Sequence, residues 1–240
     1  MKKIALIGFG TIGKKLYELI NNERLLEVTS IYDINDKISF GDFAKVDLVV
    51  ETAVSQVVEE YGREIVKHTH FMPFSITALS NQQLLDGIVS IASAHQHQLF
   101  IPHGAILGLD GIFDGKKLFD EVQIVTIKNP KSLGRNDDAR VTVFEGSARE
   151  VAKLMPRNVN VHAALALAGI GFDKTKSVLI SDPNTIENTH IITAKSNGTT
   201  FEIVTKSNPI GAVTGAFTPI SAYGSVKRAL GIGEKNIVIV

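Results

Sequence analysis

The sequence predicts an α/β chain: a doubly wound parallel sheet, then a second α+β domain with an open mixed sheet. Three observations carry that expectation. Over the first hundred residues, short apolar runs alternate with amphipathic stretches, the pattern of strand–helix–strand units covered on both faces. After Pro102 the texture changes to runs of β-branched residues with few helical stretches. A length of 240 residues suits one large or two small domains, enough to bury about 70% of the unfolded surface without covalent staples.

The elements follow in order. Ile4 to Ile7 is a compact apolar run fit for a central parallel strand. From Thr11, Ile12, Leu16, Leu19 and Ile20 recur on one helix face. Leu26 to Tyr32 and Val46 to Val50 read as strands, and Val54 to Lys67 as a helix with Val57, Val58, Tyr61 and Ile65 on one side. Thr69 to Met72 is a short strand, Ser80 to Ala94 a helix, and Gln98 to Ile101 a fifth strand. Beyond it, Glu121 to Lys128 is a strand and Asn129 to Arg140 a polar loop. Arg149 to Leu154 and the alanine-rich Val159 to Ala168 are helices, the latter apolar nearly all round and hence buried. Ser177 to Ser181, His190 to Ser196 and Thr199 to Lys206 are strands, the last two joined by the hairpin pair Asn197-Gly198. Ser221 to Leu230 returns to helix and is expected to cover the first domain. Domain bounds follow as 1–104 with 215–240, and 105–214.

Composition excludes several function classes. Lys plus Arg is 25 and Asp plus Glu is 25, so there is no global field to hold nucleic acid or an anionic membrane. Cysteine is absent, which removes disulfides, thiolate metal sites and cysteine nucleophiles. No apolar run reaches about 18 residues. The Met-Lys-Lys start before an apolar run is read as a buried strand and turn, not an export signal, because Gly8, Gly10 and Gly13 interrupt it. A cytoplasmic protein without nucleic-acid or membrane partners is expected.

The strongest local signal is Gly8-Phe9-Gly10-Thr11-Ile12-Gly13, placed after an apolar strand and opening a helix. Gly8 permits the tight turn, Gly10 lets backbone approach a pyrophosphate, and Gly13 allows close helix–strand packing. Asp33, 20 residues after Gly13 at the end of the second strand, can accept from adenosine ribose hydroxyls and repel a 2′-phosphate. NAD is therefore the expected cofactor. NADP stays possible, since Lys14 and Lys15 can soften the discrimination.

The histidines divide. His68 with His70, and His95 with His97, form i, i+2 pairs without carboxylates at ligand spacing, so no metal site is expected. His162 lies in an apolar segment and reads as a core or interface residue. His103 stands at the carboxyl end of the parallel sheet, where ligands bind. His190 opens a strand after the polar run Asp182 to Thr189 and can serve as an acid–base group, imidazole having an ordinary pKa near 6.5. The loop Pro102 to Asp110 has little side-chain bulk and is open to either a nicotinamide approach or a plain connection. Lys128 and Ser132, in Lys128 to Leu133, offer a cation and a hydroxyl that can bind a carboxylate or simply be solvated.

These segments together resemble the L-aspartate dehydrogenases of de novo NAD biosynthesis. The resemblance spans most of the chain. It runs through GFGTIG at Gly8, Glu51-Thr52-Ala53, GAILGLD from Gly104 to Asp110, KNPKSL, and Val143 to Ala148. Its most specific parts are PRNVNV from Pro156 to Val161 with the following ALALAGIGFD, and the stretch from Ser181 to His190. It implies NAD(P)-dependent oxidation of L-aspartate to iminoaspartate and the reverse reductive amination. It also implies a catalytic His190, cofactor contacts at Ala105 and Asn160, and a homodimer. His190 is then expected to face a nicotinamide cleft lined by Gly10, Ala105 and Asn160. Two other readings remain at this stage: a reductase like dihydrodipicolinate reductase or homoserine dehydrogenase, and a dinucleotide-binding regulator without turnover.

Overall fold

The computed structural model describes residues 1–211 and 214–233. It divides into two compact units. The first comprises 1–75, 81–102 and the chain from Pro219, and the second 76–80 and 103–218.

In the first unit, β1 (Lys2–Ile7), β2 (Leu26–Tyr32), β3 (Leu48–Glu51) and β4 (His70–Pro73) form a parallel sheet in the order β2-β1-β3-β4. Right-handed crossovers in such sheets need helices, and α1 (Thr11–Asn21), α2 (Phe40–Phe43), α3 (Ser55–His68) and α4 (Gln82–Ala94) alternate with the strands. Asn81 starts α4 by accepting from the Leu84 N–H. Ile4, Leu6, Leu48, Val50 and Met72 pack with Leu16 and Ile20 of α1 in one buried cluster. Ala222 and Val226, from the C-terminal helix Thr218–Ala229, join that cluster. The expected fifth strand does not form. Gln98 to Ile101 makes a single bridge, Phe71 to Leu99. A turn with Gln96 at φ +59 precedes this stretch and Pro102, lacking an N–H, follows it.

In the second unit, α5 (Leu109–Gly115) leads into β5 (Glu121–Lys128). β6 (Val141–Ser147), α6 (Ala148–Leu154), α7 (Asn160–Ala168), β7 (Lys176–Ser181), β8 (Asn188–Ser196) and β9 (Thr199–Ser207) follow. The five strands form a mixed sheet in the order β6-β7-β5-β8-β9, with β5 and β7 parallel and the other pairs antiparallel. β8 and β9 are joined through Asn197-Gly198, with Gly198 at φ +85, a left-handed conformation that glycine takes readily. A capping box between Ser147 and Glu150 turns β6 directly into α6. β6 was not foreseen as a strand. It lies at the edge, is broken by an irregularity between Thr142 and Phe144, and alternates weakly. α7 is buried at seven of its nine positions, as its composition predicts. Val122, Ile124, Thr126 and Lys128 bury one face of β5. Among the described residues no helix is long and apolar enough to cross a membrane.

Candidate active site

Two places gather the foreseen residues, one in each unit. In the first unit β1 ends fully buried, and Gly8 turns the chain with φ +93. A Cβ there would stand 2.7 Å from the Ala53 nitrogen. One on Gly13 would overlap the Gly8 carbonyl and come within 2.9 Å of Thr52 Oγ1. These two glycines are required by packing. Gly10 is different: a Cβ on it meets nothing within 4 Å. Gly10 is also the N-cap of α1, with no side-chain cap and no acid in the first turn. The first N–H groups of the helix are thus left for an anion, in open space beside bare backbone. Thr11 is exposed there, while Ile12 packs on the core. Asp33 is exposed one residue past β2, and its Oδ1 accepts from Phe9 N–H at 3.4 Å, which sets the carboxylate at the glycine turn. Lys15 is paired with Glu18 at 2.7 Å and Lys14 lies over the Phe9 ring. An open cradle for a diphosphate beside a carboxylate for a ribose is the donor and acceptor set a dinucleotide needs.

Glu51 had drawn no functional reading. It is fully buried at the end of β3, the one acid in an otherwise apolar strand. Its Oε1 accepts from Ala53 N–H at 2.6 Å and the Ser75 hydroxyl at 2.8 Å, and its Oε2 from Ser75 N–H at 3.0 Å. Glu51 thereby ties the chain after β3 to the chain after β4. Desolvation raises its pKa to about 7 against these hydrogen bonds.

In the second unit, the buried face of the mixed sheet brings distant residues together. Thr126 of β5 pairs in register with His190 of β8, and Lys128 lies two residues on along the same face. His190 is 4% exposed and its Nδ1 is 2.8 Å from Thr126 Oγ1. His162, from α7, places Nε2 2.7 Å from the same hydroxyl. His162 is a fully buried core residue, as its apolar segment predicts, and its pairing with Thr126 was not visible in sequence, since 36 residues separate them. Lys128 is 3% exposed. Its one hydrogen bond among the described residues is a 3.4 Å donation to the Asn158 carbonyl, and no carboxylate pairs with it. Burial lowers its pKa to about 8. Burial, and then the Lys128 charge, push His190 down to about 3. The ordinary value near 6.5 thus does not hold: His190 is neutral, buried, and faces the positive charge of Lys128.

The remaining foreseen residues spread around these centres. Asn160 begins α7, and its Oδ1 accepts from Thr77 N–H at 3.1 Å and the Thr77 hydroxyl at 3.3 Å. Ala105 is half-buried in the loop before α5, between Gly104 and Gly108 in left-handed conformation. Ser132 is half-buried in the 3₁₀ turn Pro130–Leu133, and no hydrogen bond among the described residues joins its hydroxyl to Lys128. His103 is half-buried at the start of the Ala105 loop. His68, His70 and His97 line a depression with Lys2 and Asp47 at the amino ends of the parallel strands, opposite the end where ligands bind. Among the described residues no three metal-type side chains cluster.

Comparison with known proteins finds relatives of both parts of the chain. The C-terminal domain model of aspartate dehydrogenase matches residues 113–229. The NAD-binding domain model of homoserine dehydrogenase matches residues 27–102. An L-aspartate dehydrogenase from Thermotoga sp. strain RQ2 is 35% identical, covering 98% of both chains. That of Thermotoga maritima strain MSB8 is 36% identical over 80% of this chain and 82% of its own. The crystal structure of a Thermotoga maritima aspartate dehydrogenase superposes with a TM-score of 0.79 at 29% identity, covering all of both chains. With near full-length relatives above 30% identity and the same two-part fold, the chain belongs to the L-aspartate dehydrogenase family.

Proposed function

We propose that this chain oxidises L-aspartate at Cα to iminoaspartate with a pyridine nucleotide, NAD in preference to NADP, and catalyses the reverse reductive amination of oxaloacetate, supplying de novo NAD biosynthesis. The observation that carries the substrate is Lys128: a buried ammonium without a carboxylate partner among the described residues. An uncompensated buried charge is costly, and an anionic ligand removes the cost. A dicarboxylic amino acid supplies that anion.

Gly10 and the open start of α1 would hold the diphosphate, Asp33 the adenosine ribose, and Ala105 with the Asn160 side chain the nicotinamide end. When bound, the nicotinamide supplies the hydride acceptor. Lys128 pairs with a substrate carboxylate, with Ser132 as a second contact. Neutral His190 takes one proton from the substrate ammonium, leaving a lone pair on nitrogen that expels hydride from Cα and forms the C=N bond. The substrate's negative charge offsets Lys128, so the basicity of His190 rises once substrate is bound. Water is excluded from this face by α7, which keeps the Lys128 charge effective.

For assembly, the outer face of the mixed sheet supports a homodimer. Val178, Val125, Ile191 and Val204 stand in register across β7, β5, β8 and β9 on the face away from Thr126, the first three half-buried and Val204 exposed. A second copy covering that row removes apolar surface from water.

The test of activity is turnover with L-aspartate and NAD, or with oxaloacetate, ammonia and NADH. Binding of NAD without turnover in either direction would instead favour a regulatory dinucleotide-binding protein.

A further inference from the structure

Thr126 carries a single hydroxyl proton and lies between two imidazoles, 2.7 Å from His162 Nε2 and 2.8 Å from His190 Nδ1. All three residues are buried. If both rings donated, the hydroxyl proton would have no acceptor, and if both offered lone pairs, one would go unmet. One ring therefore donates to Thr126 and the other accepts from it, which locks the tautomer of each ring to that of the other. We propose that His162, acting through Thr126, is a positioning residue that keeps the proton of neutral His190 on Nδ1 and leaves Nε2 as the proton-accepting atom. This rests on the reading of His190 as the acid–base group and adds what selects its reactive nitrogen.

The direction follows from the chemistry. In the proposed arrangement His190 Nδ1–H donates to Thr126, the Thr126 hydroxyl donates to His162 Nε2, and His162 bears its proton on Nδ1. When Nε2 of His190 takes the substrate's proton, the Nδ1–H bond to Thr126 stays as it was. No hydroxyl rotates and no other proton moves, so the relay is organised before the reaction. The opposite arrangement places the proton of His190 on Nε2, where it blocks proton uptake. To clear it, Thr126 must turn and His162 must change tautomer within a closed interior. The far side of His162 fixes neither tautomer, because its buried Nδ1 has no hydrogen-bond partner among the described residues and is unsatisfied in both. His162 also remains neutral and able to accept: burial first, then the His190 and Lys128 rings and charge facing it, hold its pKa well below the usual value.

The experiment uses the full chain with ¹⁵N-labelled histidine, read by NMR without cofactor and by steady-state kinetics with it. In the wild type the neutral His190 ring carries its proton on Nδ1. Thr126→Val, which keeps the shape and removes the hydroxyl, should shift that proton toward Nε2 and lower kcat roughly ten- to a hundredfold, the scale of a misaligned catalytic group. KM for aspartate should change by less than about threefold, since Lys128 is untouched. The acidic limb of the kcat/KM profile should move with the tautomer. Thr126→Ser should restore both signals. His162→Leu should reproduce the loss, and His162→Gln, whose amide oxygen accepts from Thr126, should recover most of it. A wild-type His190 protonated on Nε2, or a tautomer and kcat unchanged in Thr126→Val and His162→Leu, overturns the proposal. Full turnover in His190→Ala removes the underlying reading instead, so the two failures are distinct.

Discussion

The parallel sheet and the mixed sheet present their functional groups by opposite means. At the end of β1 the ligand-facing surface is mostly backbone: a turn, a helix start without a cap, and one glycine with nothing beyond it. On the mixed sheet the surface is side chain: an ammonium, a hydroxyl and two imidazoles from β5, β8 and α7. Backbone N–H groups at a helix start suit any diphosphate, whatever else it carries. A buried lysine and an oriented histidine suit one charge pattern and one proton transfer. On the proposed reading, the first region would hold the cofactor and the second would carry selectivity and chemistry. Substitutions should separate the two.

The largest effect is expected at His190. His190→Ala should lower kcat about a hundredfold or more, the usual scale for losing an acid–base group, while NAD affinity measured by fluorescence titration stays near wild type. Parallel loss of cofactor binding would erase the distinction between the regions.

Lys128→Met should raise KM for aspartate by about tenfold or more, as for loss of a buried charge partner. It should also change stability with a definite sign. Burial lowers the lysine from 10.5 to about 8, so the unfolded chain binds this proton more tightly than the folded one. The folded state is penalised fully below pH 8, and the penalty is relieved as pH rises toward 10.5. Urea midpoints of the wild type should carry that alkaline gain, and those of Lys128→Met should not.

Within the glycine turn, Gly10→Ala should leave the urea midpoint unchanged but weaken NAD binding by about tenfold, because its Cβ enters the space before α1. Gly13→Ala should instead cost about 1–3 kcal/mol of stability through overlap with Gly8 and Thr52. Equal stability losses in the two variants would show that Gly10 is a packing residue as well. The smallest effect belongs to Asp33→Ala, expected to raise NADP use relative to NAD severalfold in competition assays.

The same contrast explains what could be read from the sequence. The glycine turn is contiguous, and its meaning depends on a strand before it and a helix after it, both visible as apolar patterns. The hairpin at Asn197-Gly198 is local in the same way. Lys128 was visible as a cation at a strand end, and His190 as a histidine beside a polar loop. Their meeting depends on the β5–β8 register, which no local pattern states. Thr126 and His162 are ordinary in composition, and their role exists only because α7 folds onto that strand pair. Glu51 left one trace, an acid closing an apolar strand, whose partner Ser75 lies 24 residues away. The strand expected at Gln98 to Ile101 stops at one bridge, held between the left-handed Gln96 and Pro102, which has no N–H to donate.

The short turn Ile76–Ser80 has a consequence for how the molecule must be made. Its neighbours on both sides belong to the first unit, yet it packs against α6 and α7 of the second. There Thr77 donates to the Pro156 carbonyl and to Asn160, and Arg149 donates to the Ser80 carbonyl. A ribosome releases these five residues well before their partners at 149–160 exist. They must wait while the rest of the first unit takes shape around their ends. The first unit waits longer still, because the helix supplying Ala222 and Val226 to its core emerges only after the whole of 103–218. Neither unit is a cassette that one cut can excise. A fragment beginning at residue 103 lacks the Ser80 carbonyl that accepts from Arg149 and the Thr77 groups that donate to Asn160, and an exchange of second units between relatives must carry Ile76–Ser80 with it.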